Sequence, residues 1–253
     1  MFPIVHFLLE KNVLKKDSPL LILGGALPDL ASFMGWDRNV AHAMGADFWQ
    51  WCATNRPDSA DLARGIILHG MDPKGLDFYA DEKWPGNERG WCFMLGEPFK
   101  NKVQKACNLP DKWALWKSHN FAEMCMELAA NKIDPTLGPA IVAASQNEEA
   151  LALASGCLAQ YTGLPAEKIE RGFRFLPHIF ALEDVGPDNL IDAYIIQLER
   201  RHDIKSHNKT AMIEVLAEMH EECGPQLDGF LQKVEPKIAM ALATTENITN
   251  TLE

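Results

Sequence analysis

Apolar residues recur at three- and four-residue intervals along most of this chain, and no stretch shows the alternation of a half-buried strand. The pattern predicts an all-α, multi-helix bundle. From Pro3 to about Lys16, the positions Phe2, His6, Leu9 and Val13 share one stripe, while Lys11, Lys15 and Lys16 take the other side. His6 is thereby expected to face the core. A second helix is expected within 20–33, broken near Gly24-Gly25 and Pro28, followed by helices at about 39–53 and 59–70. The stretch from Pro73 to Pro98 contains Gly75, Pro85, Gly86, Gly90 and Gly96 as well, too many breakers for one helix. It reads as a long loop whose Tyr79, Trp84, Trp91 and Phe93 either wall a pocket or only hold the loop down. Helices resume at about 97–107 and 111–131.

After "IDPTLGP" the segments 140–161, 165–182, 188–201, 209–222 and 227–243 read as amphipathic helices divided by Gly and Pro stops. No repeat period is evident. The expectation is one helical domain over 1–253, with the polar chemistry in about 1–131 and a helical scaffold in about 134–253.

At 253 residues and 47% apolar, the chain can bury a sizeable core. A formal charge of -11 argues against binding nucleic-acid duplexes or anionic membranes, both of which demand basic patches, but leaves room for one small phosphate ester in a compact pocket. The opening "MFPIVHFLLEKNVLKK" has no basic n-region, and His6 and Glu10 interrupt its apolar run, so it does not read as a signal peptide. The most apolar run, "PLLILGGALP", is too short to span a bilayer. A cytoplasmic protein without stable membrane insertion is expected. Six cysteines form no C-x-x-C pair and read as small buried thiols, not as a disulfide framework.

The chemistry lies in polar residues set among apolar ones. In "KSHNFAEMCMEL", His119 and Glu123 are four residues apart and share a helix face with Leu115, Trp116, Ala122 and Met126. Burying both is costly without partners, and a cation suits both. Comparable positions are His6, Asp29 in "GGALPDLASF", His42 in "NVAHAMG", and His69 with Asp72, three residues apart in "RGIILHGMDPKGLD"; Asp77 and Asp81 follow. Singly, each has a plainer role as a helix cap, a turn residue or a satisfied imidazole. Together they form a set of histidines and carboxylates without thiolates, which suits Zn²⁺ in a catalytic role, with Mn²⁺ or Fe²⁺ as alternatives, and implies more than one ion. His178, His202, His207 and His220 read as ordinary residues, His202 with Asp203 as a solvated helix end among basic and polar neighbours.

In this order the residues resemble the zinc-dependent phospholipase C family, whose all-helical fold and metal site are shared with fungal single-strand-specific nucleases. The resemblance places His6, Asp29, His42, His69 with Asp72, and His119 with Glu123 at the family's successive ligand positions, and "GALPDL" is similar to its G-x-x-x-P-D element. It implies up to three zinc ions, hydrolysis of a phosphate ester, and a role for Asp29 both as ligand and in steering the attacking water. There are three differences. Family members begin at a tryptophan whose amino group and carbonyl bind one metal, which Met1-Phe2-Pro3 does not match. The family's H-x-x-x-D is His69-x-x-Asp72, and in place of a histidine about ten residues later stands Asp77, with Asp81 behind it. Two other readings are an HD-type metallophosphohydrolase, since "IILHGMDPKG" resembles that family's His-Asp helix end, and a non-catalytic helical module with structural histidines or one inert ion.

Overall fold

The computed structural model describes residues 3–250, apart from the side chains of Arg201, Thr249 and Asn250. Met1 and Phe2 lie outside the described residues, and with them the comparison of the family's first-residue metal ligand. The fold is all-α, with no strand among the described residues. In chain order the helices are α1 (Pro3–Leu14), α2 (Pro19–Leu30), α3 (Arg38–Ala43), α4 (Gly45–Asn55), α5 (Ala60–His69), α6 (Trp91–Gly96), α7 (Lys100–Ala106) and α8 (Asp111–Ile133). There follow α9 (Leu137–Ala144), α10 (Glu148–Thr162), α11 (Ala166–Arg174), α12 (Leu176–Phe180), α13 (Pro187–His202), α14 (Lys209–Cys223) and α15 (Leu227–Asn250). No helix among the described residues is long and apolar enough to cross a membrane.

Several expected boundaries move, each for a local reason. The break expected at Gly24-Gly25 does not occur, because the space that side chains would take here is filled, by the α5 backbone at Gly24 and by the Glu10 carboxylate at Gly25. A Cβ on Gly24 would stand 2.2 Å from the Leu62 carbonyl oxygen, and one on Gly65 2.2 Å from that of Leu21. Thus α2 and α5 cross backbone to backbone, and Pro28 falls in the last turn of α2, so that the helix ends within two residues of the donor it lacks. The single helix expected over 39–53 is instead two, since the His42 carbonyl is diverted to the Met71 N–H at 2.7 Å. The helix expected over 140–161 is divided at Asn147, which caps α10 by accepting from Ala150 N–H.

Within 73–98 a π-helical turn, Phe78–Glu82, and the short α6 give the chain more order than the sequence implies. The aromatics here serve as anchors: Trp91 stacks on Phe230 at 4.0 Å and Phe93 on His119 at 4.1 Å.

The helices bearing the polar residues converge. α1 packs on α2, α5 and α8, and α3 leans on α2. Around them, α9 and α15 cover α1, α10 and α11 cover α2, and α7 and α14 cover α8, so one cluster of buried side chains runs from Ile4 to Leu242. As a result α1 and α8 are buried far more than a single stripe allows: every residue from Pro3 to Glu10 is buried. Trp116 is the exception to the face expected on α8, being exposed. One turn beyond Glu123, the Glu127 carboxylate accepts from Ile4 N–H at 3.0 Å and Val5 N–H at 2.9 Å. It satisfies two donors at the start of α1 and so fixes His6 relative to α8.

Candidate metal centre

The first cluster forms where α1, α2, α3 and α5 meet the loop carrying Asp77. His69 ends α5 and donates from Nδ1 to the Gly25 carbonyl at 2.6 Å; His42 donates from Nδ1 to the Arg38 carbonyl at 2.7 Å. In each neutral imidazole this leaves Nε2 as the lone-pair atom, aimed at the cluster, which is the outer bonding that orients a metal-ligating histidine. The two Nε2 atoms are 3.3 Å apart. Asp77, fully buried, faces them with Oδ2 at 3.3 Å from His42 and 3.2 Å from His69. Its Oδ1 meets His6 Nε2 at 3.2 Å, and the His6 ring stacks on His69 with centroids 3.7 Å apart. Asp29 Oδ1 completes the group, 3.7 Å from His42 Nε2. Donor atoms of Asp29, His42, His69 and Asp77 all lie within 4.8 Å of one another.

A second cluster joins Asp81, His119 and Glu123, whose donor atoms meet the same 4.8 Å limit. His119 Nε2 is 3.0 Å from Asp81 Oδ1, and its Nδ1 is 3.8 Å from Glu123 Oε2. Asn120 donates to Glu123 Oε2 at 2.9 Å and accepts from the Tyr194 hydroxyl at 3.3 Å, so the carboxylate is held from behind.

Asp72 does not join either cluster. It was expected beside His69 from helical spacing, but α5 stops at His69 and Gly70 is extended, with ψ -169°, so the three-residue rule no longer applies; Asp72 is exposed. Asp77 and Asp81 occupy the places nearest the histidines instead. They are reached through the turn that follows.

The titration behaviour follows from this packing. Burial opposes the charged form of His42, but Asp29 and Asp77 outweigh it and push its pKa up to about 9. His119 is also raised, burial being outweighed by Glu123 and Asp81. Burial and the neighbouring His69 lower His6 to about 4. Burial alone would raise Asp29 and Asp77, yet the surrounding histidines hold both below the ordinary carboxylate range. His42 therefore contributes stability to the metal-free protein below its ordinary 6.5, and that contribution is lost as pH rises through about 9. A metal ion needs the neutral imidazole. Titrating zinc into metal-free protein at pH 7 should release about one proton or more per chain, read from the dependence of calorimetric enthalpy on buffer ionisation heat. Release of none would remove His42 from the ligand set.

A cavity of about 190 Å³ opens onto the clusters. Asp29 lines it together with all three members of the second group, and so stands between the two. Arg38, which the sequence did not single out, also lines it, its Nη2 3.6 Å from Asp29 and 4.0 Å from Asp77. Lys117 and His202 were missed as well. His202 does end a helix, as expected, but it packs on Trp113 and Lys117 at the cavity wall and does not stand free in solvent. Comparison with protein-family models, curated proteins and solved structures gave no match.

Proposed function

We propose that this protein is a metal-dependent hydrolase of a phosphate ester, working in the cytoplasm through a zinc centre of two or three ions. The observation that carries the metal is the pair of imidazole Nε2 atoms 3.3 Å apart, each with its Nδ1 committed to a carbonyl and both facing buried Asp77. Two Nε2 lone pairs at that distance cannot both stay bare: without metal a proton on His42 fills the gap, and a divalent ion that displaces that proton would be met by both imidazoles and the buried carboxylate. His42, His69, Asp29 and Asp77 would hold one ion, His6 with Asp77 would share in another, and Asp81, His119 and Glu123 fit a further one. Histidine and carboxylate donors without thiolate fit zinc, with manganese or iron as alternatives. The cavity supports catalysis over a closed structural site, because it gives a substrate access to the ligands.

Divalent ions bound there would supply Lewis acidity to the phosphate oxygens and to water. Asp29, at the boundary of the two clusters and lining the cavity, is placed to orient a water and accept its proton at a carboxylate oxygen. Arg38 offers a planar fork of N–H donors to the phosphate from the same wall. The order of ligands that resembles the zinc-dependent phospholipase C family adds support from an independent direction.

The test is elemental analysis of protein purified without chelator or affinity tag, paired with turnover of an aryl phosphodiester on the same sample. At least two divalent ions per chain and chelator-sensitive turnover are expected. Ions without turnover of any phosphate ester would leave a non-catalytic metal module.

A further inference from the structure

Helix α13 walls one side of the cavity, and part of its hold on the molecule passes through a candidate metal ligand. A narrow stripe of the helix is buried, Leu190, Ile191, Tyr194 and Leu198, and the chain is non-helical on both sides of it, at 181–186 and 203–208. A helix attached in this way opens at a smaller free energy than one enclosed by its neighbours. Tyr194 is 3% exposed, lines the cavity and sets its ring edge-on against Phe121, with centroids 5.7 Å apart. A buried hydroxyl needs a partner, and this one donates across to α8, to Asn120 Oδ1 at 3.3 Å.

Asn120 passes the contact on. With its oxygen facing the tyrosine, its amide nitrogen donates to Glu123 Oε2 at 2.9 Å, and Glu123 belongs with His119 and Asp81 to the second ligand group. An ion that fixes this carboxylate also fixes the amide bonded to it. The tyrosine then meets an acceptor already in place, and less freedom is lost when α13 packs against α8. We propose that Tyr194 and Asn120 are positioning residues that couple an ion in the second group to closure of α13 over the cavity. This rests on the metal centre given above and adds how the metal governs the shape of the substrate pocket.

Hydrogen exchange of the full chain, with and without zinc, reads the closure directly. Zinc should slow the amides of 187–202 by about fivefold or more, the lower end of coupling between two sites. Tyr194→Phe removes the hydroxyl alone. It should shrink the zinc effect on these amides to about twofold or less and leave that on α5 as in wild type; by reciprocity, one bound ion should be held about fivefold more weakly in a chelator competition. Asn120→Ala should do the same, and in Glu123→Ala zinc should no longer protect α13. If the hydroxyl only stabilises the helix, Tyr194→Phe speeds exchange of α13 equally with and without zinc and leaves the ion affinities unchanged. That result overturns the proposal, as does an α13 indifferent to zinc in the wild type or still protected by it in Glu123→Ala. Where zinc is bound and an aryl phosphodiester is turned over all the same, only the coupling is lost. If the protein takes up no zinc, the metal centre falls first and this inference with it.

Discussion

Asp77→Asn should strip metal from the first ligand group and lower the melting temperature of zinc-loaded protein by roughly 10 °C. The side chain is fully buried, and its two oxygens reach three histidines at 3.2–3.3 Å, so the loss removes a charge that every one of those imidazoles faces. An ion held at about a thousandfold above its dissociation constant adds roughly 4 kcal/mol to folding stability. For a chain of this size each kcal/mol is worth about 2–4 °C, which gives the expected shift. An amide can still fill the space, but it lacks the charge that helps hold His42 protonated, so the metal-free variant should also melt below metal-free wild type at neutral pH, and the diagnostic is the loss of the zinc-dependent shift. The check is melting with and without zinc, with metal content measured on the same samples. If the variant keeps full metal and the full zinc-dependent shift, Asp77 serves only as a structural partner of the histidines.

Asp77 also marks how far the site was legible from sequence. His6, Asp29, His42, His69, His119 and Glu123 all appear as polar residues in apolar helices, and the structure brings each of them to one of the two clusters or against it. That is the signal buried polarity leaves in a chain: a group too costly to bury alone must find a partner. Asp77 and Asp81 come instead from a segment rich in glycine and proline, where no periodicity tells which carboxylate turns inward. Asp72 shows the converse. Helical spacing points to it, but the helix has already ended, and a spacing rule holds only where its backbone does.

The cations were harder to see. Arg38 and His202 lie beside other charged residues, where a solvated face is the ordinary reading, and Lys117 stands in an apolar helix from which a lysine's long side chain ordinarily reaches solvent. Lys117 meets His202 across 85 residues of chain, and that contact exists only because the end of α13 packs against α8. The same holds for the fold. Its all-α class follows from apolar spacing, whereas Gly24 and Gly25 read as a break because what they make room for, the α5 backbone and the Glu10 carboxylate, comes from other helices.

Asp29→Asn should leave the fold nearly intact and most metal bound, yet reduce phosphodiester turnover by roughly 10²-fold or more. The amide keeps the shape of the side chain and one oxygen donor; it loses the charge and nearly all basicity. His42, His69 and Asp77 remain to hold an ion in the first group, and the second group does not depend on Asp29 for its donors. What the amide cannot do is take a proton from water, and removal of a positioned general base costs about 10²–10⁴ in rate. If Asp29 were only a partner for Arg38 and His42, which it approaches at 3.6 and 3.7 Å, the amide would still offer its oxygen to both and turnover would change little. The comparison must be made at equal metal content, since a lost ion would imitate a lost base. A rate within about threefold of wild type at matched metal would take Asp29 out of the proton transfer and leave that role to another cavity carboxylate, Asp81 or Glu123. A large loss at matched metal would tie the missing step to the Asp29 carboxylate itself.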